Sequence, residues 1–338
     1  MRLALGDLLA AVLLLAVTAY STAGGVDFGA GIWDLLAGRG RSGRHARELI
    51  DHAMAPVWEV NNVWLVLSIV LAWTAFPALF EAVFLSLYPL FTAALIGLIL
   101  RGAFFAFRHI AGDERERRVS DLVFGASSLL TPFFFAASLG AIASGQVGLT
   151  APTTSVWSAS FNPMSVAFGL VSVAATALSG ASFLVGDARR AAPDLVDYFR
   201  RRAILAAGCL IVLGTLALGA IAIYRPQLLG GMLGGLGTPF ALGAMALTPL
   251  VALLLWRRIF RLYRVLTTAA VGALVVAWGL GQAPYLLPGR LTIAAAAPPE
   301  GTEVLLLVVA AGVALVIGPA IGLLIYLDQR TLLRSPEA

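Results

Sequence analysis

Long apolar runs separated by short polar segments make up most of this chain. About 20 consecutive apolar residues form a helix long enough to cross the hydrocarbon core of a bilayer. Nine runs approach that length: 3–23, 60–80, 82–104, 122–143, 163–185, 203–224, 236–256, 265–287 and 304–327. The pattern predicts an all-α, polytopic transmembrane bundle of about nine spans, forming a single membrane domain over residues 1–338. Only Glu81 separates the second run from the third, which predicts a tight helical hairpin.

The composition excludes an ordinary soluble domain. Of the 338 residues, 60% are hydrophobic and 12% are charged. A soluble domain carries roughly 25% charged residues. Residues 122–186 contain no charged side chain at all, which indicates a chain that crosses a membrane several times.

Arginine placement predicts the orientation of the bundle. All 23 basic residues are arginines, and 20 of them follow or end the first, third, fifth, seventh and ninth runs. Only Arg2, Arg225 and Arg290 fall on the other side. Because cytoplasmic loops are rich in Lys and Arg, we expect the N-terminus outside and the C-terminus in the cytoplasm.

Two connecting segments are longer than the others. Segment 37–58 has Ala46, Leu49, Ile50 and Ala53 at helical spacing between charged residues, which predicts a short helix lying on the membrane surface. Segment 144–162 is neutral and rich in Ser, Thr and Pro, which predicts a loop.

The segment Trp58–Trp64 holds the most informative polar residues. Glu59 is the last charge before the uncharged run 60–80, and a carboxylate at that depth is costly unless it is paired or used. It suits a proton-uptake group, with Asn61 and Asn62 holding waters of a proton path. The alternative is a negative charge at the N-terminus of span 2, where the helix dipole favours it. Trp64 suits a packing residue or an interfacial anchor.

Asp27 and Arg101 are candidate structural charges. Asp27 is near the inner end of span 1 among Gly24, Gly25, Gly29 and Gly31, which permit close backbone approach or a local break. We expect Asp27 to pair with Arg101 or Arg108. Arg101 could instead extend to the interface as an ordinary anchor, and Asp121 is interpreted as a charge at the start of span 4.

Four segments together resemble a known family, subunit II of the cytochrome bd-type quinol oxidases, and most closely its cyanide-insensitive branch. The segments are Gly25–Gly31, Trp58–Trp64 followed by Phe76–Pro77, Leu100–Arg108, and Trp278–Tyr285 followed by Pro288. Their order and spacing match across nearly the whole chain.

The resemblance implies a partner and an activity. In that family, subunit I carries three haems, of types b and d, and the quinol site, while subunit II is a haem-free companion of similar fold. The complex, in the bacterial cytoplasmic membrane, oxidises quinol, reduces O₂ to water and draws protons from the cytoplasm. The resemblance assigns Glu59 to a proton path and Trp64 to a hydrophobic O₂ route. Asn62 departs from the Glu or Gln common in relatives.

The residues themselves agree with a chain that binds no haem. Haem iron takes an axial His, Met or Cys at membrane depth. His45, His52 and His109 all lie in or beside predicted cytoplasmic loops, and Cys209 is isolated. Whether a quinone or lipid binds this chain stays open.

Two other classes of function remain as alternatives. A secondary transporter commonly carries ionisable residues near the midplane, whereas spans 4 to 8 have no charged residue in their central stretches. A purely structural membrane scaffold differs from an oxidase subunit only in whether Glu59 has a role in the activity of the complex. Copurification with a partner that shows haem b and haem d absorption separates the oxidase from both.

Overall fold

The computed structural model describes the backbone of residues 4–38, 40–110 and 112–329. Within these ranges the side chains of residues 41, 54–60, 109, 317–318, 321–322 and 324–329 are outside the description.

Helices form most of the described chain, as predicted. They are α1 (Leu5–Leu35), α2 (Arg41–Ala75), α3 (Pro77–Ile110), α4 (Glu114–Ala143), α5 (Val156–Ser160), α6 (Pro163–Ala191), α7 (Val196–Tyr224), α8 (Pro226–Gly234), α9 (Thr238–Trp256), α10 (Tyr263–Gln282), α11 (Ile293–Ala296) and α12 (Glu300–Gln329). A 3₁₀ turn (Pro193–Leu195) precedes α7. Strands β1 (Tyr285–Leu287) and β2 (Leu291–Thr292) pair antiparallel after α10.

Seven helices in the described part of the chain are long and apolar enough to cross a membrane: α1, α3, α4, α6, α7, α9 and α10. The other two predicted runs fall in α2 and α12, where several side chains are outside the description. The all-α membrane fold is confirmed, while the count of nine spans stays a prediction.

Contacts between helix ends gather the arginine-bearing segments at one end of the bundle, here called the arginine-rich end. Three contacts across this end are Tyr198 Oη to Ala37 O at 3.2 Å, Arg258 to Asp197 at 2.9 Å, and Arg264 to Asp187 at 2.8 Å. They join the C-terminal ends of α1, α6 and α9 to the N-terminal ends of α7 and α10. The sequence predicts that this end faces the cytoplasm.

The predicted surface helix in segment 37–58 is wrong. Helix α2 runs without interruption from Arg41 to Ala75, so the amphipathic segment and the second span are one helix. Ala46, Leu49 and Ile50 are buried in the same apolar core as Trp33 and Phe199. The apolar face is therefore covered by protein rather than by lipid headgroups.

Several helices begin or end at residues other than those predicted, because proline and turn residues stop or start them. Helix α2 ends at Ala75, Phe76 is non-helical, and Pro77 opens α3, so Glu81 lies inside α3 rather than between helices. A residue before proline disfavours the helical conformation, whereas proline suits a first helical position. Span 265–287 likewise ends early, at Gln282, before Pro284 and the β-hairpin. Segment 144–162 contains the short helix α5.

Glycine lets α1 and α6 touch through their backbones. A Cβ at Gly29 would overlap the backbone of Thr176 and Gly180, and a Cβ at Gly180 would overlap the backbone of Gly29. Such close crossings between membrane helices depend on small residues. Helix α1 continues through its glycines, so they provide close approach and no local break.

Candidate functional site

Charged residues repeat every seven positions on two neighbouring helices. Asp27 and Asp34 are seven residues apart on α1, and Arg101 and Arg108 are seven apart on α3. Seven residues are two helical turns, roughly 10 Å of rise. The charges therefore form two layers: a deep layer (Asp27, Asn61, Arg101, Ser128) and a rim layer nearer the arginine-rich end (Asp34, Arg47, Asp51, Arg108, Asp121).

An ion pair between Asp27 and Arg101 is the centre of the deep layer. Arg101 Nη2 lies 2.8 Å from Asp27 Oδ1, and the two side chains are only 2% and 1% exposed. The same nitrogen donates to the Asp27 carbonyl at 3.3 Å, and Arg101 Nε donates to Ser128 Oγ at 3.0 Å. The pairing of Asp27 with Arg101 expected from the sequence is present. Arg101 does not extend to the interface as an anchor, because α1 and α4 hold its guanidinium inside the bundle.

Asn61 joins α2 to this layer. Its side chain is buried and lies within hydrogen-bonding reach of the Asp27 carboxylate. A Cβ at Gly24 would come within 2.9 Å of Asn61 Nδ2, so the amide fits against α1 because position 24 has no side chain. The amide of Asn61 therefore contacts the ion pair directly.

The rim layer gathers three carboxylates from three helices around Arg108 of α3. Arg108 Nη2 lies 3.4 Å from Asp34 and 3.1 Å from Asp121, and Nη1 lies 3.2 Å from Asp51. Arg47 Nε approaches Asp34 at 3.7 Å. Helices α1, α2 and α4 are thus joined through one guanidinium. Asp121 is not a charge at a helix start, because α4 begins at Glu114 with Asp113 as its N-cap.

The Phe124 ring contacts both layers. The guanidinium carbon of Arg101 is 5.0 Å from the ring centroid, and that of Arg108 is 5.1 Å from it. Both distances are within the range of a cation–π contact. The ring is fully buried, so one apolar side chain contacts a cation of each layer.

Several buried polar atoms near the deep layer lack a hydrogen-bond partner among the described residues. They are Asp27 Oδ2, Asn61 Oδ1, Tyr20 Oη and Thr131 Oγ1. Tyr20 is one further heptad along α1 from Asp27, and Thr131 is near Ser128 on α4. Buried polar atoms in proteins are normally hydrogen-bonded, and ordered water fills this role where protein groups do not.

The other predicted site residues lie along α2. Glu59 is two residues before Asn61, and its side chain lies outside the described part of the chain. Its position is 18 residues past the start of α2 at Arg41, so the interpretation as a charge at a helix N-terminus is wrong. Asn62 and Trp64 are partly exposed. The structure brings Asn61, Asp27 and Arg101 together.

The described histidine side chains lie at the arginine-rich end. His45 Nδ1 pairs with Asp194 at 3.1 Å, and the exposed ring of His52 contacts the Glu48 carbonyl. The side chain of His109 is outside the description. Cys209 is exposed on α7. Neither described histidine reaches the buried interior of the bundle.

The sequence interpretation missed Asp34, Asp51, Asp121 and Phe124 as members of one site. A signal for part of it was present, because Asp34 and Arg108 are 74 residues apart, as are Asp27 and Arg101. If Asp27 of α1 pairs with Arg101 of α3, the residues two turns further along each helix, Asp34 and Arg108, also come close to each other. Phe124 carried no comparable signal, since it is one of 18 phenylalanines.

Comparisons with known proteins agree with this architecture. The sequence profile of the family described as cytochrome bd terminal oxidase subunit II matches residues 5–327. Cytochrome bd-I ubiquinol oxidase subunit 2 of Escherichia coli (strain K12) is 26% identical over 219 residues, covering 63% of this chain and 55% of that protein. Cytochrome bd ubiquinol oxidase subunit 2 of Bacillus subtilis (strain 168) is 29% identical over 109 residues, covering 32% of this chain and 31% of that protein.

A solved structure shares the fold over nearly its whole length. A chain of the bd oxidase from Geobacillus thermodenitrificans superposes with a TM-score of 0.74 at 13% identity, covering 96% of this chain and 98% of that one. The alignment to the E. coli relative spans little more than half of that relative, whereas the family profile spans residues 5–327. From that profile match we conclude that the chain belongs to the family of cytochrome bd terminal oxidase subunit II.

Proposed function

We propose that this chain is the haem-free subunit II of a bd-type terminal oxidase that oxidises quinol and reduces O₂ to water. The profile match over residues 5–327 carries the proposal. The fold shared with a bd oxidase supports it, and so does the buried, charge-paired interior of α1–α4.

In this proposal the haems b and d and the quinol site belong to subunit I. The chain would pack through its outward apolar side chains against that partner and against lipid. Exposed hydrophobic residues are abundant on α7 and α12, including Val212, Leu216, Leu305 and Leu315. Apolar surfaces of this extent mark contacts with membrane or protein.

We further propose that α2 carries a proton route from the cytoplasm through Glu59. Three observations support it: Glu59 lies in the interior of α2, Asn61 follows it by two residues, and Asn61 reaches the Asp27 carboxylate. The unpartnered polar atoms around Asp27 suit the waters of such a route. Asn62 is one residue further along α2, and Trp64, one turn beyond Asn61, is proposed to line an O₂ route.

Purification through a tag on this chain tests the subunit assignment. We expect a larger membrane subunit to coelute and the absorption bands of haem b and haem d to follow the pair. This chain expressed without the partner is expected to show no Soret band. Isolation as a solute carrier with no haem-bearing companion would contradict the assignment.

Glu59→Gln tests the proton route. We expect quinol oxidase activity to fall about tenfold or more, since a positioned proton-transfer group contributes roughly 10²–10⁴-fold to a rate. Haem content should stay unchanged. Glu81→Gln is the matched control, because Glu81 is an exposed glutamate of α3 outside both layers. Wild-type activity in Glu59→Gln would remove Glu59 from the route.

A further inference from the structure

The rim layer has a gradient of exposure across its three carboxylates. The side chains of Asp51 and Asp121 are 31% and 24% exposed, whereas that of Asp34 is fully buried. All three lie within 3.4 Å of Arg108. Carboxylates on three different helices therefore lead from the surface of the arginine-rich end to one buried carboxylate.

We propose that the rim layer collects protons for the route through the deep layer, with Asp34 as the buried acceptor that passes them inward. This inference rests on the proposed function. It adds a site and a direction: protons arrive at Asp51 and Asp121, move to Asp34, and leave toward Asp27 through water held by the Asn61 amide. Each transfer moves one proton between oxygen atoms and leaves every carboxylate as it began.

Asp34 suits the role of acceptor because its contacts are long. Arg108 Nη2 is 3.4 Å from both carboxylate oxygens of Asp34, and Arg47 Nε is 3.7 Å away. Strong charge-assisted hydrogen bonds are about 2.7–2.9 Å long. Within the described residues Asp34 Oδ2 has no hydrogen-bond partner at all. A fully buried carboxylate held only by long ion-pair contacts can receive a proton or a bridging water without first breaking a strong hydrogen bond.

The surroundings of Asp34 allow exchange with its neighbours. The charged side chains that contact it are Arg47 of α2 and Arg108 of α3, and Arg108 brings Asp51 of α2 and Asp121 of α4 to the same guanidinium. Chains of acidic side chains inside a membrane protein serve as proton relays, and here the three carboxylates surround one guanidinium.

The inward step from Asp34 is assigned to α2. The apolar Phe124 ring contacts the guanidinium groups of both Arg101 and Arg108 and offers no group that carries a proton between the layers. Helix α2 passes both layers, since it provides Asp51 to the rim layer and Asn61 to the deep layer, with Glu59 between them in the sequence. The inward step from Asp34 therefore runs along α2.

Asp34→Asn in the purified, haem-loaded complex tests the proposal. Reconstituted in liposomes with a pH-indicating dye, the variant should take up protons about tenfold more slowly in a single turnover, because the amide cannot carry the proton. Haem content should be unchanged, since Arg108 keeps Asp51 and Asp121. Asp34→Glu keeps a carboxylate at this position and should restore most of the uptake rate. If Asp34 had a purely structural role, the isosteric Asp34→Asn variant would be the less damaging of the two.

The control is Asp187→Asn. Asp187 also pairs with an arginine at the arginine-rich end, at 2.8 Å from Arg264, but it lies outside both layers. We expect wild-type proton uptake in this variant. An equal slowing in Asp187→Asn and Asp34→Asn would overturn the proposal, since any broken pair at this end would then have the same effect.

Other outcomes are equally informative. Wild-type uptake in Asp34→Asn overturns the proposal. If that variant does not assemble, Asp51→Asn combined with Asp121→Asn decides, because it removes both entry carboxylates, and wild-type uptake there overturns the proposal. Slow proton uptake in Glu59→Gln with normal uptake in Asp34→Asn would exclude the rim layer from the proton route, while the proposed oxidase function would stand. A wild-type complex with no quinol oxidase activity removes the proposed function itself.

Discussion

Arg101 has the largest fully buried side chain among the described residues. Its replacement tests most directly whether the charges of the deep layer depend on each other. Arg101→Met keeps an unbranched apolar side chain and removes the charged guanidinium, which leaves Asp27 buried without its partner. We expect the free energy of unfolding to fall by about 3–5 kcal/mol, the typical loss when one partner of a buried pair is removed. Asp27→Asn combined with Arg101→Met should lose clearly less than the sum of the two single losses.

The short separation of Arg101 and Asp27 determines how strongly the two positions are coupled. At the 2.8 Å separation of Arg101 Nη2 and Asp27 Oδ1, Coulomb attraction is about 6 kcal/mol at an effective dielectric constant of roughly 20. The cost of removing both charges from water offsets much of this attraction. The double variant avoids that cost because no full charge remains at the site. We therefore expect a coupling energy of about 1–3 kcal/mol between the two positions.

The assay is reversible unfolding of the complex in mixed detergent micelles, followed by tryptophan fluorescence, for the wild type, both single variants and the double variant. The pair Asp187 and Arg264 provides a matched cycle with Asp187→Asn and Arg264→Met. Those side chains are 30% and 24% exposed, and we expect a coupling energy below about 1 kcal/mol. Additive losses at Asp27 and Arg101 would refute the claim that the two charges depend on each other.

Three further predictions concern packing, each read out by thermal unfolding of the complex. Gly29→Val should prevent the close crossing of α1 and α6 and destabilise the complex by more than Gly208→Val, which faces open space; equal effects would contradict this. Ile50→Ala should cost about 2–5 kcal/mol if α2 packs into the core here, and almost nothing if the segment lies on the membrane surface. Trp33→Phe removes the 2.7 Å hydrogen bond to Ala177 O and should cost about 1–3 kcal/mol; unchanged stability would show that water replaces the bond.

Local chemistry accounts for what was predicted correctly. Apolar runs of bilayer length predict helices whatever they pack against, because in lipid the backbone must satisfy its own hydrogen bonds. The expected pairing of Asp27 with Arg101 or Arg108 likewise followed from the cost of an unpaired charge in this environment. The segments that resemble bd oxidase subunit II were also readable from the residues alone.

The wrong sequence predictions concern segments whose pattern fits contact with the membrane surface as well as contact with protein. The amphipathic pattern of segment 37–58 is the same whether its apolar face meets headgroups or protein, and in the structure Ile50 is covered by the bundle. Asp121 was interpreted as a charge at a helix start, and the same interpretation was the alternative for Glu59, yet α2 and α4 begin well before these residues. Hydrophobicity marks where a helix enters lipid, whereas the helix itself can begin several turns earlier in contact with protein.

The sequence by itself determined that this is a helical membrane protein with arginine-rich connections and a small set of costly buried charges. Only the tertiary structure decided that Arg108 joins Asp34, Asp51 and Asp121 and that Phe124 contacts an arginine of each layer. Helix formation depends on neighbouring residues, so it can be read locally. Which faces meet depends on the rotation of each helix about its axis, and contacts between distant glycines such as Gly29 and Gly180 fix that rotation.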